Sequence, residues 1–184
     1  MSLSILIPTL PERFNYLNRL QNIIMPQVEK YHGEVEVLYH DGGRSYSTGE
    51  KRNNLLARAA GTHVMFLDDD DLVAKTYVHD IVGAIRSKDP DVVTFRGWMT
   101  TDGAERVDFI IKLGEKYEAR DGKYYRFPNH ITAMRKSLVH DFQFPHINMG
   151  EDYAWALQIH NAGVLKTEVH IDKELYHYDF RTNK

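Results

Sequence analysis

His63-Val64-Met65-Phe66-Leu67-Asp68-Asp69-Asp70-Asp71 sets a short apolar run directly against four aspartates. The run has the length and content of a buried strand. Like charges crowded at its end repel and raise one another's pKa values. A divalent cation relieves that cost. Mg2+ and Mn2+ favour carboxylate oxygens and leave positions open for water or substrate phosphates. In an Asp-x-Asp arrangement, Asp68 and Asp70 serve one site while Asp69 points elsewhere, and a metal held there would grip a diphosphate. The plainer alternative is a solvated acidic loop, with Asp71 capping the helix that follows. A calcium loop of the helix-loop-helix type fits poorly, because its glycine and terminal glutamate are missing at the required offsets. A phosphatase with an aspartyl nucleophile would carry its aspartates after the first strand, whereas these follow the third.

Outward from that stretch, strand-like and helix-like segments alternate. Residues 3–7 form an apolar run stopped by Pro8. Residues 12–24 place Phe14, Leu17, Leu20 and Ile24 at helical spacing. Residues 35–39 read as a second strand, broken by Asp41-Gly42-Gly43. Ser47 or Thr48 caps a helix through Ala60, and Gly61 ends it. Residues 76–87 put Val78, Ile81, Val82 and Ile85 on one helical face, and residues 92–95 read as a fourth strand. This order predicts an α/β fold with right-handed crossovers and a largely parallel sheet. Ligands of such sheets bind beyond the carboxyl ends of the strands. Pro8-Thr9, Asp41 and residues 68–71 all fall there.

The second half is less regular. Residues 107–113 and 123–127 look like strands, with Arg120-Asp121-Gly122 as a hairpin turn between them. Residues 151–162 read as a helix ended by Gly163, and residues 164–170 and 174–178 as closing strands. Gly150-Glu151-Asp152 opens that helix. Carboxylates there are favoured by the helix dipole and free N–H groups, which is a purely structural reading. The functional reading makes Asp152 a general base that activates an acceptor hydroxyl.

Composition bounds the rest. The chain has 184 residues, 42% hydrophobic and 27% charged, which suits one globular domain. It has no cysteine, so disulfides, thiolate zinc sites and iron–sulfur clusters are excluded. A formal net charge of -3 argues against a generic polyanion binder. The N-terminal apolar run is too short for a signal peptide, and no stretch approaches the ~20 apolar residues of a membrane span. The expectation is a cytoplasmic protein without membrane insertion. Residues 97–135 carry basic and aromatic side chains, among them Trp98, Arg106, Lys116, Tyr117, Arg120 and Arg126. That mixture suits either a solvated face or a polyanionic acceptor, nucleic acid included.

Five motifs in order resemble the family 2 glycosyltransferases of the GT-A fold. Ser4-Ile5-Leu6-Ile7-Pro8-Thr9 is similar to the family's first strand and nucleotide-binding turn. Val37-Leu38-Tyr39-His40-Asp41-Gly42-Gly43 is similar to its second strand. Gly49-Glu50-Lys51-Arg52-Asn53 resembles its Gly-x-x-Arg-Asn segment. Phe66-Leu67-Asp68-Asp69-Asp70-Asp71 resembles its Asp-x-Asp metal motif, and Gly150-Glu151-Asp152 with Trp155 its Glu-Asp motif.

The resemblance implies a Rossmann-like, nucleotide-sugar-binding half over residues 1–96 and an acceptor and catalytic-base half over residues 97–184 of a single domain. It implies inverting transfer of one sugar from a nucleotide diphosphate-sugar, a UDP-sugar favoured, with Mn2+ or Mg2+ as cofactor. Asp41 would accept from the base. Pro8, Thr9 and Arg13 would lie near the nucleotide, with Lys51 or Arg52 on the base or phosphates. Asp68 would lie near the ribose or sugar, and Asp69 would belong to the nucleotide-sugar-binding residues. Asp70, with His177 of Leu175-Tyr176-His177-Tyr178, would bind the metal. Asp152 would be the base, with Glu151 beside it. The resemblance leaves the acceptor (glycan, lipid, protein or modified nucleic-acid base) and the oligomeric state open. No Gln-x-x-Arg-Trp sequence marks a processive polymerase. Two rival classes remain: a catalytically silent nucleotide-sugar-binding domain, and a sugar-phosphate nucleotidyltransferase. The second would need a Gly-rich loop where Pro8-Thr9-Leu10-Pro11 stands.

Overall fold

The structure is a computed structural model that describes residues 1–182. Its strands are β1 (Leu3–Pro8), β2 (Val35–His40), β3 (His63–Phe66), β4 (Leu72–Val73), β5 (Val92–Thr101), β6 (Val107–Ile111), β7 (Glu118–Arg120), β8 (Lys123–Arg126), β9 (Ala133–Arg135) and β10 (Glu168–Phe180). The helices are α1 (Phe14–Val28), α2 (Thr48–Arg58), α3 (Tyr77–Lys88), α4 (Lys136–Val139) and α5 (Glu151–Ala162). One sheet runs β2-β1-β3-β9-β5-β6-β8-β7, with β10 along β5 and β4 beside β10.

The parallel part of the sheet lies where chain order places it. β1 pairs in parallel with β2 on one side and β3 on the other, and β10 pairs in parallel with β5. β1 and β3 are buried along their whole length, because helices cover both faces. Alternation then sorts their side chains. Leu3, Ile5, Ile7, Met65 and Leu67 pack with Leu20 and Ile24 of α1 and Val78, Ile81 and Val82 of α3. Leu6, Val64 and Phe66 point the other way, onto Leu55 and Leu56 of α2 and Trp155 and Ile159 of α5. Each buried aliphatic or aromatic side chain contributes about 1.5–3 kcal/mol, so this two-sided packing is the main stabilising term.

Several local expectations are corrected. Phe14 does not share the buried stripe of α1; it is 63% exposed at the first turn, and the stripe runs through Leu20, Ile24 and Val28. Asp71 does not cap α3, whose N-terminal residue Thr76 makes no side-chain cap either. Instead Asp71 accepts from Tyr176 Oη at 2.6 Å and from the Asp179 N–H at 3.0 Å, fastening β10 to the acidic turn. The turn at Arg120-Asp121-Gly122 joins β7 to β8, with φ of 51° at Asp121 and 71° at Gly122. β6 and β8 pair in parallel rather than as a hairpin. The two closing strands are one, β10, interrupted by register shifts around Asp172-Lys173 and Leu175. β9 runs antiparallel between β3 and β5. Among the described residues no helix is long and apolar enough to cross a membrane.

Candidate active site

A cavity of about 500 Å³ opens where β1 and β3 end. Pro8, Thr9 and Arg13 line it from the first strand's exit, Lys51 and Arg52 from α2, Asp68, Asp69 and Asp70 from the acidic turn, and Glu151 and Asp152 from α5. Ten of the twelve expected site residues therefore share one space. The other two, Asp41 and His177, are not in its lining. Asp41 lies in the exposed loop after β2. His177 Nε2 is 2.9 Å from Thr100 Oγ1, and its ring stacks on Trp98 at 5.0 Å and 13°.

The turn after β1 is held from three sides. The Thr9 N–H donates to the His40 carbonyl at 3.0 Å, which extends the β1–β2 ladder by one bond. Thr9 Oγ1 donates to Asp69 Oδ2 at 2.6 Å, and Lys51 Nζ donates to the Thr9 carbonyl at 2.8 Å. Arg13 closes the ring of contacts, with Nε and Nη2 on Asp69 Oδ1 at 2.8 and 2.6 Å. The same Nη2 lies 2.8 Å from Asp70 Oδ2. Asp69 is thus turned onto the loop after β1. Burial pulls the Lys51 amine below the ordinary lysine value, against the pull of Glu12, Asp69 and Asp41.

The second group of contacts centres on Arg52, 3% exposed. Its Nη2 donates to Asp68 Oδ1 at 2.7 Å and its Nε to Glu151 Oε1 at 3.1 Å. Its Nη1 is buried without a hydrogen-bond partner among the described residues. Such an orphan donor beside a cavity is costly unless a ligand oxygen completes it. Burial alone would raise the Asp68 carboxyl, yet the Arg52 charge and the His130 contact outweigh it and hold the group well below the usual carboxylate range. His130 Nε2 lies 3.3 Å from Asp68 Oδ2, and His130 Nδ1 lies 3.4 Å from Asp152 Oδ2.

The Gly-Glu-Lys-Arg-Asn segment explains how α5 reaches this cavity. Ser47 and Glu50 form a reciprocal capping box that starts α2 at Thr48. A Cβ on Gly49 would lie 1.8 Å from the Pro145 carbonyl oxygen, so only glycine admits the chain that leads into α5. The Gly49 N–H donates to the Ile147 carbonyl at 3.1 Å. Asn53 both donates to the Phe144 carbonyl and accepts from the Phe144 N–H, each at 2.9 Å. The ends of the motif thus clamp residues 144–147, and Arg52 between them faces the carboxylates. Gly150, at φ 81°, then turns the chain into α5 with Glu151 and Asp152 first.

The residues also bear on the expected cation. Asp70 offers hard carboxylate oxygen to the cavity, which is the donor chemistry of Mg2+ and Mn2+. Among the described residues, no three His, Asp or Glu groups converge as a preformed cage. A cation that takes most of its ligands from water and a diphosphate needs only one or two carboxylates, so Asp70 fits that use. Arg13 already stands on the same carboxylate as a competing positive charge.

Sequence reasoning missed His130 and Asn53 as parts of the site. Asn53 had a signal, its place in the motif; His130 had none, because its two partners are 62 and 22 positions away.

The description Glycosyl transferase family 2 matches residues 18–142 of the chain. Among solved structures, TarS 1-349 of S. aureus in complex with UDP-GlcNAc superposes with a TM-score of 0.69 and 18% identity, over 100% of this chain and 60% of that one. A second structure of TarS 1-349 gives 0.67 and 20%, over 97% and 60%. TarS 1-349 with UDP gives 0.66 and 18%, again over 97% and 60%. The chain spans about three fifths of the length of these structures. The likeness is one of fold and agrees with the GT-A architecture. A search among curated proteins finds no match.

Proposed function

Because the chain belongs to glycosyl transferase family 2, we propose that it transfers a single sugar from a nucleotide diphosphate-sugar to an acceptor hydroxyl, with inversion at the anomeric carbon. One observation carries this reading. The acidic turn after β3 and the Glu151-Asp152 start of α5, far apart in sequence, line the same cavity as Arg13, Lys51 and Arg52. The cations suit a diphosphate, and an unshielded carboxylate suits a base.

Asp152 is the base in this reading. Its side chain is 37% exposed and paired only loosely, so one oxygen is open to an incoming hydroxyl. As the acceptor oxygen bonds to the anomeric carbon, its proton passes to Asp152. The bond from that carbon to the diphosphate breaks, and its electron pair leaves with the diphosphate. Attack from the face opposite the leaving group inverts the configuration. Lys51, Arg13 and the spare Nη1 of Arg52 receive the growing charge, worth most in a site that excludes water. Asp70 would hold Mn2+ or Mg2+, which supplies further positive charge to the departing diphosphate. Asp68 and Glu151 fix the Arg52 guanidinium. TarS was solved with UDP-GlcNAc and with UDP, which supports a UDP-sugar as the first probe here.

A thermal-shift panel of nucleotide-sugars, with and without Mn2+, tests the reading. A ligand that binds only the folded state raises the melting temperature by mass action. A donor should do so more strongly with Mn2+ and should then release its nucleoside diphosphate. A panel in which no nucleotide-sugar stabilises the protein would remove the donor site.

A further inference from the structure

We propose that His130 is a positioning residue that fixes the Asp152 carboxylate relative to Asp68, and so sets the turnover of the reaction proposed above, on which this inference rests. The geometry is specific. The ring is buried: Nε2 lies within hydrogen-bond distance of Asp68 Oδ2, at 3.3 Å, and Nδ1, buried without a hydrogen-bond partner among the described residues, lies 3.4 Å from Asp152 Oδ2. Among the described residues, no other side chain lies within ion-pair distance of Asp152, so the ring is the group on which that carboxylate's orientation depends.

The ring is itself held firmly. The His130 carbonyl accepts from the Phe66 N–H at 2.8 Å, two residues before Asp68 in the chain. On either side, Asn129 organises the segment. Its carbonyl accepts from Thr132 Oγ1 at 2.7 Å and from the Thr132 N–H at 3.0 Å. Its Oδ1 accepts from the Ile131 N–H at 3.3 Å, and its amide donates to Tyr117 Oη at 2.8 Å. His130 is therefore a spacer seated on β3, with one edge toward Asp68 and the other toward α5. A supporting group built on a fixed backbone holds a reacting side chain more tightly than a mobile loop does.

The 3.4 Å separation from Asp152 is longer than a good hydrogen bond. Catalytic contacts of this kind are often loose before substrate binds and tighten in the complex. A contact between Nδ1 and Oδ2 that closes when substrate binds would leave Oδ1 of Asp152 to take the acceptor's proton. Loss of the ring frees the carboxylate to rotate, which lowers turnover while leaving the cationic contacts to the diphosphate in place.

A double-mutant cycle tests this. Wild type, H130Q, D152N and H130Q/D152N are compared for UDP release from UDP-GlcNAc with Mn2+, with water as the acceptor, and for UDP affinity by calorimetry. H130A serves as a second variant, and melting temperatures are recorded for all. H130Q should lower kcat by about tenfold or more, as loss of an orienting partner does elsewhere. UDP affinity should stay within about twofold. In the D152N background, H130Q should cost nothing further, because a positioning residue has nothing left to position. If D152N is impaired and H130Q multiplies that loss, the inference falls while Asp152 stands as the base. If D152N turns over like wild type, the base lies elsewhere and the inference falls; if wild type releases no nucleoside diphosphate from any nucleotide-sugar of the thermal-shift panel, the proposed function falls and takes the inference with it. A loss of UDP affinity matching the loss of kcat, or unfolding of both H130Q and H130A, would assign His130 to stability and overturn the proposal.

Discussion

Arg52 and Asp68 form an ion pair, Nη2 to Oδ1 at 2.7 Å, that ties α2 to the acidic turn after β3, and the same guanidinium reaches Glu151 at the start of α5. Three elements meet on one buried cation. Burial opposes its charge, but Asp68 and Glu151 more than compensate and push the guanidinium above its ordinary value. Removing it leaves two carboxylates facing each other with little water. R52A should therefore lose about 3–5 kcal/mol of stability, the usual cost of breaking a buried pair from one side. R52A/E151Q should recover part of that loss, since a neutral amide needs no counter-charge. Urea unfolding of R52A, E151Q and R52A/E151Q checks this; strictly additive losses would mean that Glu151 does not depend on Arg52.

Gly49 is a packing requirement with a catalytic consequence. A Cβ there meets the Pro145 carbonyl oxygen at 1.8 Å, and that oxygen belongs to backbone that cannot swing aside. G49A should cost about 1–3 kcal/mol, as overpacking does. It should also reduce donor turnover, because the displaced chain leads directly to Glu151 and Asp152. N53A, which removes the paired bonds to Phe144, should act in the same direction. A G49A protein with wild-type melting temperature and turnover would mean that residues 145–150 are free to shift.

Asp71 gives a pH dependence of stability. Burial first, and the charges of Asp68 and Asp70 next, push its carboxyl well above the ordinary aspartate range. A carboxyl raised in the folded state contributes fully below its unfolded pKa, and that contribution is lost as pH rises through the folded value. D71N keeps an oxygen for the Asp179 N–H and offers its amide to Tyr176 Oη, with no charge to bury. In EDTA, its stability should fall less than that of wild type between about pH 5 and about pH 9. D71A, which loses both bonds, should be weaker at every pH by about 1–3 kcal/mol. An unfolding series in which D71N and wild type run parallel would show that Asp71 is charged in the folded protein throughout.

Much of this arrangement is legible in the sequence, for identifiable reasons. Glu151–Ala162 is read to the residue, because Gly150 and Gly163 punctuate it and both take positive φ. The start of α2 is legible to within one residue, Ser47 or Thr48, and the capping box of Ser47 with Glu50 decides for Ser47; the helix ends at Arg58, two residues short of Ala60. The carboxyl ends of β1 and β3 follow from Pro8 and the aspartates. What is not legible depends on partners distant in the chain. β9 is three residues long, without a pattern to distinguish it, and is a strand only because β3 and β5 leave a place between them. β10 reads as two strands because the exposed Asp172 and Lys173 interrupt its apolar alternation. Asp71 reads as a cap because the pull of β10, more than a hundred positions away, has no local trace. Phe14 has helical spacing but sits one turn before the core begins.

Asp152 carries the sharpest test of the chemistry. A base that accepts the acceptor's proton in the transition state contributes about 100–10,000-fold. D152N keeps the shape and a polar contact for His130 but cannot take the proton. Its kcat should fall within that range, while the affinity for UDP, which the proposed reading assigns to Arg13, Lys51 and Arg52, should stay near wild type. Transfer or hydrolysis at an undiminished rate would move the base elsewhere.

In the proposed reading, Arg13 and a divalent cation would compete for the same carboxylate. Arg13 Nη2 stands 2.8 Å from Asp70 Oδ2 while the rest of its guanidinium is fixed on Asp69. A cation arriving at Asp70 must displace that contact or share the oxygen at a cost in repulsion. Without nucleotide, Mn2+ should therefore bind weakly. R13Q should bind it about tenfold more tightly, equivalent to about 1.4 kcal/mol. With UDP present the order should reverse, because the diphosphate needs Arg13 as well as the metal. R13Q should then bind UDP less tightly than wild type at saturating Mn2+. D70N should lose the metal dependence of UDP binding altogether. Calorimetric titration of Mn2+, then of UDP at fixed Mn2+, separates these terms. Equal Mn2+ affinity in wild type and R13Q would place the cation away from Asp70, and UDP binding by D70N that still rises with Mn2+ would do the same.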